Sequence, residues 1–179
     1  MALPESEERL FKVFSNVSDW LRFAEAKNAM LAAFNAASIY GITKSFEVSF
    51  IKNNPYLLFY LGVAILFLVF SSVCVLISFA PRVTIIKGGW YAPSSPPNIL
   101  FFEYLKTKNA DDILTEICGP APQNGYTRIE KDLAVQIQQN SIIASRKYSY
   151  FTIALWLSIA AYITFPLAAF FCLHTYFRD

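Results

Sequence analysis

The sequence predicts a mainly α membrane protein, an oligomer whose subunits each have three transmembrane helices and a small cytosolic domain between spans two and three. Hydrophobic residues make up 55 % of the 179 and charged residues 16 %, with a mean hydropathy of +0.40. That is too apolar for an ordinary soluble domain. Two stretches, Tyr56 to Phe79 and Tyr148 to Phe177, carry no Asp, Glu, Lys or Arg, and each exceeds the roughly 20 residues that cross a ~30 Å hydrocarbon core. The basic residues supply the third observation. With three spans, 12 Lys/Arg fall on one side and 3 (Lys44, Lys52, Arg178) on the other; with two, the split is 8 against 7. The positive-inside rule favours three and a cytosolic N-terminus.

Residues 5 to 43 can form one helix. Pro4 suits a first helical position, Glu5, Glu7 and Glu8 suit the positive end of the dipole, and Leu10, Phe14, Val17, Leu21 and Ala24 recur at helical spacing. Residues 1–27 are then a cytosolic amphipathic half, continuous with a first span over 28–46. Only 16 uncharged residues separate Lys27 from Lys44, about 24 Å of helix, so both lysines must snorkel outward. An outer hairpin over 47–55 leads to the second span, 56–80. The insert, 81–147, begins with a short β-branched strand and a Gly/Pro/Ser loop, "RVTIIKGGWYAPSSPPN". "ILFFEYLKTK" reads as helix or strand alike. "NADDILTEICG" reads as a helix capped by Asn109 and stopped by Gly119, with Asp111 and Asp112 as dipole partners. Thr127 and Glu130 have capping-box spacing, and no Pro or Gly follows until Pro166. One helix therefore runs on through the third span, 148–173. "MALPESEERLFK" lacks the order of a cleavable signal.

No catalytic constellation can be assembled: there is one histidine, no nucleophile elbow, no phosphate-binding glycine loop and no metal-ligand spacing. Cys74, Cys118 and Cys172 form no CxxC or Cys/His pairing, so neither a disulfide framework nor a zinc site is indicated. The insert does mix aromatic with basic residues, a combination that stacks bases and neutralises phosphates or, more simply, packs a small core with a basic face beside anionic lipid. Within the first span Asn28, Asn35 and Ser38 stand near one helical face. Such groups hydrogen-bond between helices or line a water-filled path.

Three blocks carry a resemblance. "WLRFAEAKNAMLAAFNA" is similar to the N-terminal helix of the Pycsar effector family, sharing Ala24, Lys27 and Asn35, with Glu25 where Asp is usual, Asn28 where Ala is, and Ala36 where Gly often follows. "NILFFEYL" resembles the family's N-P-L-F-F block at Asn98, Leu100, Phe101 and Phe102, with Ile99 replacing Pro. "DLAVQIQQNSIIASRKYSYFTIAL" retains Asp132, Leu133, Ala134, Gln136, Ile137, Arg146, Lys147 and Tyr148. The resemblance covers about residues 18 to 172 and extends to the effectors of the Hailong defence system. It implies a bacterial anti-phage effector of the inner (cell) membrane, encoded beside a nucleotidyltransferase or nucleotide cyclase and causing membrane disruption and growth arrest.

On that footing the expected mechanism is a homo-oligomeric pore, a tetramer favoured, gated or restrained by a cyclic mononucleotide or short DNA oligomer. Asn28, Asn35 and Ser38 are the expected pore lining, with small residues such as Ala32, Ala33, Ala36 and Ala37 allowing close approach. The expected ligand contacts are Arg128, Lys131, Arg146 and Lys147 on phosphate, Phe101, Phe102 or Trp90 on a base, and Gln136 beside them. No other cofactor is expected. The competing expectation is a non-conducting membrane anchor that recruits a cytosolic protein.

Overall fold

The computed structural model describes residues 4–80 and 98–178, with side chains to residue 170 except at 50, 165 and 169. The expected strand and Trp90 lie outside the described residues. Those residues form six helices and no strand: α1 (Glu5–Ser45), α2 (Ser49–Lys52), α3 (Pro55–Phe79), α4 (Phe102–Leu105), α5 (Ala110–Cys118) and α6 (Arg128–Arg178). Two of them, α3 and α6, are long and apolar enough to cross a membrane. The chain divides into two compact units, one of Met1–Ala26 with Val83–Ser149, the other of Lys27–Arg82 with Tyr150–Asp179. Helices α1 and α6 each contribute to both.

Local chemistry explains where the helices begin. The first turn of α1 carries Glu5, Glu7 and Glu8 against the exposed amides. Pro4 stands just before the helix, where its carbonyl accepts from the Glu8 amide at 3.1 Å, rather than in the first turn. For α3, Asn54 accepts from the amides of Tyr56 (3.1 Å) and Leu57 (3.2 Å) with Pro55 at the first position. Asn109 and Asp112 form a reciprocal capping box on α5, so Asp112 is a cap partner as well as a dipole partner. Gly119 ends that helix at φ 86°, a left-handed conformation closed to most side chains. Thr127 and Glu130 make the second box. The Thr127 amide donates to Glu130 Oε2 at 2.7 Å, and the Glu130 amide to Thr127 Oγ1 at 3.1 Å.

Burial follows a heptad. On α3 the buried residues are Leu61, Ala64, Leu68, Ser71, Val75 and Ser78, spaced alternately three and four apart. On α1 the buried positions include Leu10, Val13, Val17, Ala24, Asn28, Leu31 and Asn35. A stripe repeating every 3.5 residues is the seam along which helices pack with left-handed crossing. In the first unit the seams close a core of Leu10, Val13, Val17, Phe102, Leu105, Ile113, Leu114, Leu133, Ala134 and Ile137. In the second, Leu31, Val75 and Ala154 form one layer, and Ala64, Leu68 and Ala161 another. The rest of α3, including Leu66, Phe70, Val73 and Leu76, faces outward as an exposed apolar surface, the kind that marks contact with a membrane or another protein.

Candidate functional site

The aromatic residues of the first unit converge on Trp20. Its ring centroid lies 6.3 Å from Phe101, 5.7 Å from Phe102 and 6.3 Å from Tyr148, and Phe102 stacks on Tyr148 at 5.2 Å and 13°. Phe102 is only 5 % exposed. The expected base-stacking role for Phe102 is therefore not what this packing provides, because Tyr148 and the core already cover the ring. Phe101 is half-buried against the same core. The segment is pinned by Asn98, whose side chain accepts from the Leu100 amide at 2.9 Å, and by Asn16, whose Nδ2 donates to the Leu100 carbonyl at 2.7 Å.

The basic residues do not gather. Arg128 and Lys131 occupy the exposed first turn of α6, with Arg128 facing Asp132 at 3.8 Å, and Gln136 is exposed further along. Lys147 is largely buried and pairs with Glu25 at 3.1 Å. Because α6 is one continuous helix, the 15 residues from Lys131 to Arg146 set the two pairs about 22 Å apart at 1.5 Å per residue. A mononucleotide can touch one pair or the other. Both pairs can share one ligand only if it carries phosphates that far apart, as an oligonucleotide does.

Near the starts of α1 and α6, two carboxylates are buried together. Thr127 Oγ1 donates to Glu7 Oε1 at 3.3 Å, and Glu7 and Glu130 are both nearly enclosed. The Ser6 hydroxyl, with the Thr127 amide and hydroxyl, holds the Glu130 carboxyl below the usual carboxylate range, against the opposing pull of burial. Burial pushes the Cys118 thiol up, and the Glu130 charge adds to it. A thiol held protonated in this way is a poor nucleophile.

The second unit holds a polar node. Asn35 Nδ2 donates to Ser71 Oγ at 2.8 Å, Ser71 Oγ to the Ala154 carbonyl at 2.7 Å, and Ser158 Oγ to Asn35 Oδ1 at 2.8 Å. Asn35, Ser71 and Ser158 are all buried. The bonds join α1, α3 and α6, and both polar ends of the amide are used. Asn35 is therefore enclosed within one chain. Asn28 is likewise fully buried. Ser38 is half-buried, donates to the Phe34 carbonyl at 2.7 Å and meets the Tyr162 hydroxyl. Ser71 and Ser158 were not singled out by the sequence, although each is a polar residue in an apolar span, the type expected at helix contacts.

The chain is mainly helical, with two helices long and apolar enough to cross a membrane and a buried hydrogen-bonded node between its helices. The family described as the Pycsar effector protein domain matches residues 9–174. The chain belongs to that family, and it is an effector of anti-phage defence. No curated protein and no solved structure matches it.

Proposed function

We propose that the protein is a non-catalytic, three-span effector of the bacterial cell membrane, with a cytoplasmic N-terminus, that opens as a homo-oligomeric pore under control of a nucleotide signal. The observation that carries the reading is the pair of uninterrupted helices, α1 and α6, which each supply residues to both units. A ligand that changes the angle between these rods in the first unit has a continuous mechanical route into the second. The packing of α1 beyond Lys27 with the two apolar helices supports a third span there.

Asn35 then acts as a latch. The amide that the sequence offers as pore lining stabilises the closed bundle while its hydrogen bonds to Ser71 and Ser158 last, and it becomes available to water when they break. The ligand is a cyclic mononucleotide from a cyclase, or a short DNA oligomer from a nucleotidyltransferase, encoded alongside. Its phosphate falls to Arg128 and Lys131, the exposed pair, with Gln136 nearby. A ligand that prefers one state by about 100-fold contributes roughly 2.7 kcal/mol, enough to swing a balanced population.

The test is ion flux from liposomes carrying the purified protein, with cyclic mononucleotides and short DNA oligomers added separately. Flux that responds to one of them, and loses the response in Arg128→Glu/Lys131→Glu, is the expected result. Vesicles that stay sealed under every ligand, with a cytosolic protein co-purifying, would establish the anchor instead.

A further inference from the structure

The second unit is layered along its heptads. Asn35 meets Ser71 and Ser158 in one layer, and Leu31, Val75 and Ala154 form the next. One heptad from Asn35 is Asn28, and one heptad from Ser71, counted the other way, is Ser78. The antiparallel register fixed by these two layers sets Asn28 and Ser78 at one level, with Phe151, one heptad before Ser158, beside them. Both Asn28 and Ser78 are buried. The equivalent serines differ in one respect: Ser71 is bonded, whereas the enclosed Ser78 hydroxyl has no hydrogen-bond partner among the described residues.

We propose that this level is a water-filled vestibule, sealed on its inner side by the apolar layer of Leu31, Val75 and Ala154, which serves as the gate. Three features point the same way. A buried hydroxyl without a protein partner is stabilised by water and strongly disfavoured in a dry hydrocarbon environment. Asn28 adds a second polar side chain at that depth, and a bound water needs two or more such partners. Lys27 stands over the Phe151 ring at 5.6 Å, so an ammonium group, strongly hydrated by nature, lies at the same level. Water then stops at the next layer, where the side chains are all apolar, the arrangement that gates by dewetting. Above the gate, the Asn35 node supplies the polar groups that water meets on opening. The inference rests on reading this unit as membrane-embedded.

The test is thiol accessibility in liposomes. With Cys74, Cys118 and Cys172 changed to Ala, single cysteines replace Ser78, Val75 and Ser71, and a charged methanethiosulfonate reagent is applied without any nucleotide. The reagent reacts with the hydrated thiolate, so Ser78→Cys should be modified at least about tenfold faster than Val75→Cys or Ser71→Cys. Asn28→Cys should share the fast rate, which gives a second reading if one variant fails to fold. Equal, slow rates at positions 78, 28 and 75 would overturn the vestibule. Flux from the same vesicles reads the pore separately. Fast labelling at 78 without flux under any ligand sinks the pore and keeps the vestibule; ligand-driven flux with no preference for 78 does the reverse.

Discussion

Phe102 and Tyr148 face each other nearly parallel in the core, so Phe102→Ala removes a packed ring and leaves a cavity. The expected cost is about 3 to 5 kcal/mol in the first unit, seen as a large fall in the thermal midpoint of the detergent-solubilised protein. A base-stacking role predicts the opposite pattern, an unchanged midpoint with lost ligand affinity. Glu130 gives a pH dependence of definite sign. Its folded carboxyl titrates below the ordinary value of 4.5, chiefly because Ser6 donates to it. The stability it contributes is therefore fully present above that value and is lost as pH falls through the folded one. Glu130→Gln should show a shallower loss of thermal midpoint below about pH 4.5 than the parent; equal acid slopes in the two proteins would remove Glu130 from the account.

The node that joins α1, α3 and α6 makes the element-scale prediction. Asn35→Leu and Ser158→Ala each break a buried hydrogen bond, at an expected cost of about 1 to 2 kcal/mol. Because both substitutions remove the same Ser158–Asn35 bond, the double variant should cost less than the sum of the singles. Unfolding titrations in mixed detergent measure both terms, and strict additivity would mean the three groups do not act together. The long helices and their caps were legible in the sequence, because heptad spacing and the Asn109 and Thr127 caps are local signals. The node was only half legible. Asn28 and Asn35 stand out in a run of alanines, but Ser71 and Ser158 sit singly in apolar segments, and only the register between helices makes them partners. Phe102 was ambiguous for a related reason: a ring that packs a core and a ring that stacks on a base are the same residue type until burial is known. The spread of the four cations follows from counting residues along α6, once its continuity is established.

At the scale of the whole molecule the decisive quantity is the asymmetry of charge. If the second half of α1 crosses, the residues before it share a side with the loop between α3 and α6, and together these hold 12 of the 15 Lys/Arg. If it lies along the surface instead, the split is nearly even and nothing in the sequence orients the chain. The packing of that half against α3 and α6 is compatible with the first arrangement: its buried stripe is used up by Leu31 and Asn35, and Met30, Phe34 and Tyr40 remain exposed, as lipid-facing side chains would be. Three exposed positions decide it: Ser15 in the amphipathic half, Asn53 before α3, and Gln123 in the turn ahead of α6. Single cysteines there, in a background without the native ones, are challenged with an impermeant thiol reagent on intact cells. Three spans predict that Asn53→Cys alone is modified, while Ser15→Cys and Gln123→Cys react only after the membrane is permeabilised. Two spans place Ser15 and Asn53 on the same side, so their joint labelling, or their joint protection, would take α1 out of the membrane and the latch at Asn35 with it.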